Sequence, residues 1–217
     1  MKEKLSASNL LTATLCLQLA SVAITAIDSL FYSDFWLDWI QRGITVAVIV
    51  CLFQLHTESR LYRWTAVLKA AALGLLLAGL LLSSGFVLHH GFYKYLGMTA
   101  EDVLPISSAV YWMRLVVNLP APVLEYLSHG KIAPAVRKGW IGLTVVNLVW
   151  IVAGNAINRY TGAQFEAQLM SAETLNAIGD GFQVVNLILR LFYLWLLYKT
   201  VNAVKAKENV AEYVENC

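Results

Sequence analysis

The stretch LPISSAVYWMRLVVNLPAPVLEY, residues 104–126, decides how many times this chain crosses a membrane. A helix rising about 1.5 Å per residue needs roughly 20 residues to traverse about 30 Å of hydrocarbon, and this stretch is long enough. It is nevertheless the weakest candidate, because Arg114 lies inside it and Pro120 and Pro122 interrupt it. Four stronger runs surround it at residues 10–31, 35–55, 65–88 and 139–157, and a further run at 177–197 carries Asp180 and Arg190.

Charge patterning tests the weak span independently, since cytoplasmic segments are enriched in Lys and Arg close to helix ends. Lys2 and Lys4 precede the first run, Arg60 and Arg63 the third, Lys131, Arg137 and Lys138 the fifth, and Lys199, Lys205 and Lys207 follow the last. The alternate connections lean acidic, with Asp34, Asp38, Glu101, Asp102, Glu166 and Glu173. Counting residues 104–126 as a crossing puts every basic segment on one side. Omitting it mixes the two sides. The sequence therefore predicts an all-α, integral membrane six-helix bundle with both termini cytoplasmic in a cell or inner membrane, its fourth span interrupted by proline near the cytoplasmic end. Residues 1–200 form the transmembrane helical domain and 201–217 a short cytoplasmic tail.

Composition agrees. Of 217 residues, 59% are hydrophobic and 14% charged, against about 45–50% and about 25% in soluble domains. A net charge of +2, spread as single and paired residues, offers no footprint for nucleic acid. Lys2 and Lys4 before an apolar run resemble a signal peptide, but the run continues to Phe31, so it is read as a retained first span. The three cysteines form no CxxC pair, and neither a metal nor another cofactor is expected.

Polar residues fall on particular faces. In the first span Thr14, Gln18, Ser21, Thr25 and Asp28 recur at helical spacing. In the fourth, Ser107, Tyr111, Arg114 and Asn118 share a side; in the fifth, Asn147, Asn155 and Asn158 lie roughly together; in the last, Gln183, Asn186, Arg190 and Tyr193 do so, with Asp180 near the outer end. Arg190 precedes Lys199 by about 13 Å of helix axis, near mid-span. Lipid-facing stripes would leave polar groups without hydrogen-bond partners, so the stripes are expected to face protein or water. Spans one, four, five and six are thus expected to surround a polar centre, with Asp28 pairing Arg114 and Arg190 meeting Asn186, Asn118 or Asn147. Spans two and three are expected outside it, and Lys69 is expected to snorkel to the cytoplasmic interface.

The third span presents Ala71, Gly74, Ala78 and Gly85, small residues suited to close helix contact. Trp36, Trp39 and Trp64 suit interfacial anchoring. Residues 160–170 have the pattern of a short surface helix, and Val201, Val204, Val210 and Val214 that of an amphipathic extension. The preferred functional expectation is a small subunit, embedded in the bilayer, that assembles with itself or a membrane-protein partner through polar and small-residue faces. Permeation of a small ion or polar solute through the polar centre is the principal alternative. An outer-face enzyme site using His89 or His90 with Glu101 or Asp102 ranks lower, because HExxH, GxSxG and phosphate-loop motifs are all missing.

Overall fold

The computed structural model describes residues 6–31, 35–83 and 100–215, and these are all helix and connection. Helix α1 spans Ala7–Phe31, α2 Phe35–Gln54, α3 Arg60–Ser83, α4 Ala100–Asn118, α5 Pro120–Ile132, α6 Arg137–Glu166 and α7 Ala172–Glu215. Short 3-10 turns, Leu55–Thr57 and Pro134–Val136, precede α3 and α6. Among the described residues, five segments are long and apolar enough to cross a membrane: Ala7–Ile27, Leu37–Thr57, Arg60–Gly79, Pro134–Phe165 and Ala172–Val214. The chain has multi-pass membrane character, and apolar side chains such as Val116, Val149, Val152 and Ile188 cover its outside.

Helix α4 is not among those five. Its continuation is instructive. Only Leu119 separates it from α5, and Leu119 keeps right-handed helical dihedrals of φ −65 and ψ −48. Pro120 supplies no N–H, so the ladder is broken although the chain hardly leaves the helical path. Both pieces lie along α3: a Cβ on Gly79 would stand 3.6 Å from Val110 of α4, while Lys69 and Tyr62 reach Glu125 and His129 of α5. Ascending α3 corresponds to descending through α5 and α4, the pattern of antiparallel neighbours.

The same reversal holds around the bundle. Thr25 of α1 meets Gln41 of α2 and Arg190 of α7, whereas Ser8 of α1 meets Glu208 of α7. Along α6 and α7, Trp140 meets Thr200 and Trp150 meets Asn186. Arg60, Arg63, Lys131, Arg137, Lys138, Lys205 and Lys207 consequently gather at the end where α1 begins and α7 finishes. The buried core occupies that end too, joining Leu10, Leu11, Leu52, Leu55, Tyr62, Trp140, Leu143, Leu196 and Leu197.

One local expectation is corrected. Residues 160–170 do not begin a separate surface helix: α6 runs on to Glu166 and stops where Gln168 turns to a positive φ of 57. Helix α7 runs for 44 residues, from Ala172 to Glu215. Val201 and Val204 are buried, anchoring the extension, while Val210 and Val214 are exposed.

Candidate functional site

Glu125 is the only acidic residue between Asp102 and Glu166, and it is just 2% exposed. Such a carboxylate buried among packed helices requires partners, because burial without them is strongly unfavourable. The helical repeat supplies them from three directions. On α3, Tyr62 and Lys69 lie seven residues apart and so share a face. Lys69 Nζ approaches Glu125 Oε2 at 2.7 Å, and Tyr62 Oη is hydrogen-bonded at 2.8 Å to Nδ1 of His129, one turn beyond Glu125. From α7, Tyr193 Oη donates to Glu125 Oε1 at 2.6 Å.

The other nitrogen of His129 is 3.7 Å from Glu125 Oε1, too far for a hydrogen bond, and has no hydrogen-bond partner among the described residues. Below the pair, toward the termini, rings close the bundle. His129 and Trp140 have centroids 4.7 Å apart, and Tyr126 and Tyr193 lie within 5.7 Å of one another. Trp140 Nε1 donates to Thr200 Oγ1 at 3.0 Å, and Asn147 Nδ2 donates to the Tyr126 hydroxyl at 3.3 Å.

On the other side of the pair, three neighbouring cavities share their walls. The first, about 360 Å³, is lined by Gln18, Lys69, Glu125, Asn147, Asn186 and Arg190, among others. The second, about 230 Å³, shares Gln18, Lys69, Arg190 and Tyr193 and adds Ser21, Gln41 and Thr45. The third, about 500 Å³, returns to Lys69, Gln41 and Thr45 and reaches Arg42, Asp38, Arg114 and Asn118. Lys69 lines all three.

Charge in these walls is unequal. Glu125 offsets Lys69, and Asp38 lies 3.3 Å from Arg42. Arg190 donates to the Thr25 hydroxyl at 3.2 Å, and neither Arg190 nor Arg114 has an ion-pair partner among the described residues. Two guanidinium charges therefore remain uncompensated in the described walls, directed into space that water can enter.

Gln18, Asn147, Asn186 and Arg190 thus line one cavity, and Thr25 holds Arg190. Arg114 and Asn118 belong to the adjoining one. Asn155 instead donates to the Ile151 carbonyl of its own helix, and Asn186 accepts from Trp150. Asp180 and Gln183 are exposed and line none of the three cavities. The Asp28 side chain, and with it the expected pairing to Arg114, lies outside the described residues, as do Gly85, His89 and His90 and the side chains of Glu101, Asp102, Ser107, Tyr111 and Asn158. Ala71 and Gly74 are exposed, with open space around Gly74, while Ala78 is half-buried.

Lys69 is a correction: it turns inward to Glu125 instead of snorkelling, because the carboxylate lies within direct reach across the α3–α5 contact. The apolar reputation of the second and third spans also fails, since Gln41, Thr45 and Lys69 come from them. Glu125 and His129 were missed from the sequence alone, although an isolated acid with a histidine four residues on was a signal that could have found them; the partner across 56 residues of chain left none. No family model, curated protein or solved structure matches the chain.

Proposed function

We propose that this chain is a six-crossing membrane protein, N- and C-termini cytoplasmic, whose internal polar cavity binds a small anionic solute for passage across the bilayer. The observation that carries the reading is the position of Arg190, about midway along the apolar part of the last helix, on the wall shared by two cavities, with a neutral hydroxyl as its one partner among the described residues. A guanidinium on the wall of a cavity between helices attracts anions and repels cations, and Gln18, Asn147 and Asn186 supply neutral groups able to replace hydration. The six crossings are supported by the α4–α5 pair lying antiparallel along α3, and the orientation by the basic residues clustered at the end that holds both termini.

Purified protein in liposomes, together with any stoichiometric partner it carries, provides the test. Uptake of small anions but not cations is expected, reduced at least about tenfold by R190Q, since a lost charge-assisted contact in low dielectric is worth about 1.4 kcal/mol or more. Flux equal to that of empty liposomes, with no saturable anion binding in detergent, would overturn it.

A second reading, assembly with another copy or a membrane partner, is favoured by one observation: Ala71 and Gly74 lie exposed on α3, and among the described residues no neighbour closes on Gly74. Small exposed residues let a second helix approach closely. G74L should leave thermal stability unchanged yet shift the oligomer distribution measured by light scattering with mass-calibrated detergent correction. An unchanged distribution rejects this face as a contact.

A further inference from the structure

A separate groove lies at the α5–α6 connection, on the end that holds both termini. Its volume is about 450 Å³, and its wall is predominantly apolar, including Leu61, Leu127, Trp140 and Ile141, with Lys131 and Arg137 also in the lining. Leu127 and Ile141 are 43% and 44% exposed, so the apolar wall is open sideways, toward the bilayer, as well as toward water. Gly130 shapes it. A Cβ there would come within 3.3 Å of Arg137 Cγ, so the missing side chain lets the arginine stem lie against α5 and leaves its head at the groove.

The cations of this groove, Lys131 and Arg137, make no direct ion pair among the described residues, nor does the adjacent Lys138. The first turn of α6 contains no acid, so the partial positive charge of the helix end adds to the side chains. Apolar wall and cationic mouth therefore sit side by side at the level where a membrane helix leaves the hydrocarbon.

We infer that this groove is a binding site for an anionic phospholipid, its phosphate held by Lys131 and Arg137 and one acyl chain laid along Leu127 and Ile141. A phospholipid fits both halves at once: a soluble phosphate leaves the apolar wall bare, and a zwitterionic lipid gives little net attraction to the cations. Basic pockets between membrane helices on the cytoplasmic side recognise anionic headgroups by this combination. The inference depends on membrane residence and on the open groove, not on the solute assigned to the central cavity.

The full chain, purified in mild detergent, is titrated with phosphatidylglycerol, phosphatidylcholine of equal chain length, and inorganic phosphate, with bound lipid counted by native mass spectrometry. Attraction of about fivefold per cation predicts roughly 25-fold tighter retention of phosphatidylglycerol than phosphatidylcholine. K131Q/R137Q should abolish that preference, whereas K205Q/K207Q, which changes charge at the same end outside the groove, should preserve it. Equal retention of the two lipids overturns the site, as does an equal loss of preference in the control variant. Displacement of phosphatidylglycerol by millimolar phosphate alone would also overturn it, because an acyl-anchored ligand is not released that way. If K131Q/R137Q does not fold, I141E replaces it: a carboxylate in the apolar wall should reduce retention of phosphatidylglycerol with both cations intact, and unchanged retention rejects the groove.

Discussion

The two ends of this bundle are built from the same helices and yet differ in what fills them. At the end with the termini, Trp140, Tyr62, His129 and Tyr126 pack ring against ring, and Leu52, Leu55, Leu196 and Leu197 leave almost no surface open. Farther along, the same helices hold Gln18, Gln41, Asn186 and Arg190 around unfilled space. Aromatic and branched apolar side chains interlock to solid-like density, so the centre of the first end is closed by shape and its open groove lies on the flank, beside Lys131 and Arg137. Long polar side chains satisfy themselves with a few hydrogen bonds or with water and leave room between them. The Lys69–Glu125 pair marks the boundary, facing rings on one side and cavity on the other.

Breaking the closed end should have the largest effect. W140A removes contacts to Tyr126, His129 and Tyr193 together with the bond to Thr200, and about 4 kcal/mol of stability should be lost. Denaturant unfolding in detergent measures this, and a loss below about 1 kcal/mol would mean that the rings are not what closes the bundle. At the boundary, K69M leaves Glu125 buried without its cation, a change of about 3 kcal/mol. Restoring most of it in K69M/E125M would identify an isolated carboxylate as the cause.

Y193F deletes one hydrogen bond to that carboxylate, with a loss of about 2 kcal/mol on the same assay. Smallest is R190Q in the open region, where thermal stability should move by no more than about 0.5 kcal/mol because only the contact to Thr25 is lost. A large drop there would recast Arg190 as a fastener and remove the main support for anion binding. Hydrogen exchange sharpens the same contrast: amides near Trp140 and Leu196 should exchange more slowly than those near Gln41 and Asn186.

Much of this division was legible in the amino-acid order. Hydropathy located the helices to within a few residues at many ends, because long apolar runs have one stable form in lipid. The stripe Gln18, Ser21, Thr25 was legible as one face of α1, since a repeat of three and four residues is a helical face wherever the helix goes; Gln18 and Ser21 line a cavity and Thr25 meets Arg190. Lys69 escaped because charge counting treats every basic residue near a helix end as interfacial, whereas its environment depends on which helix lies alongside. The extents of α6 and α7 escaped for a related reason. Polarity announces where a helix leaves lipid, not where it ends, and buried Val201 and Val204 extend α7 well beyond the apolar run.

The contacts at the two ends of α7 bear on how such a molecule moves. Arg190 and Glu208 are eighteen residues apart on one unbroken helix, which is five turns or about 27 Å, so both project toward α1. One grips the Thr25 hydroxyl and the other accepts the backbone N–H of Ser8 at 3.1 Å. Two contacts so far apart mark a single antiparallel register, and Leu10 and Leu11 of α1 hold it by sharing the buried core with Leu197, Val201 and Val204 of α7. Helices α1 and α7 therefore act as a single splint, and any rearrangement that widens or empties the space beside Arg190 has to be made by the other helices swinging against it.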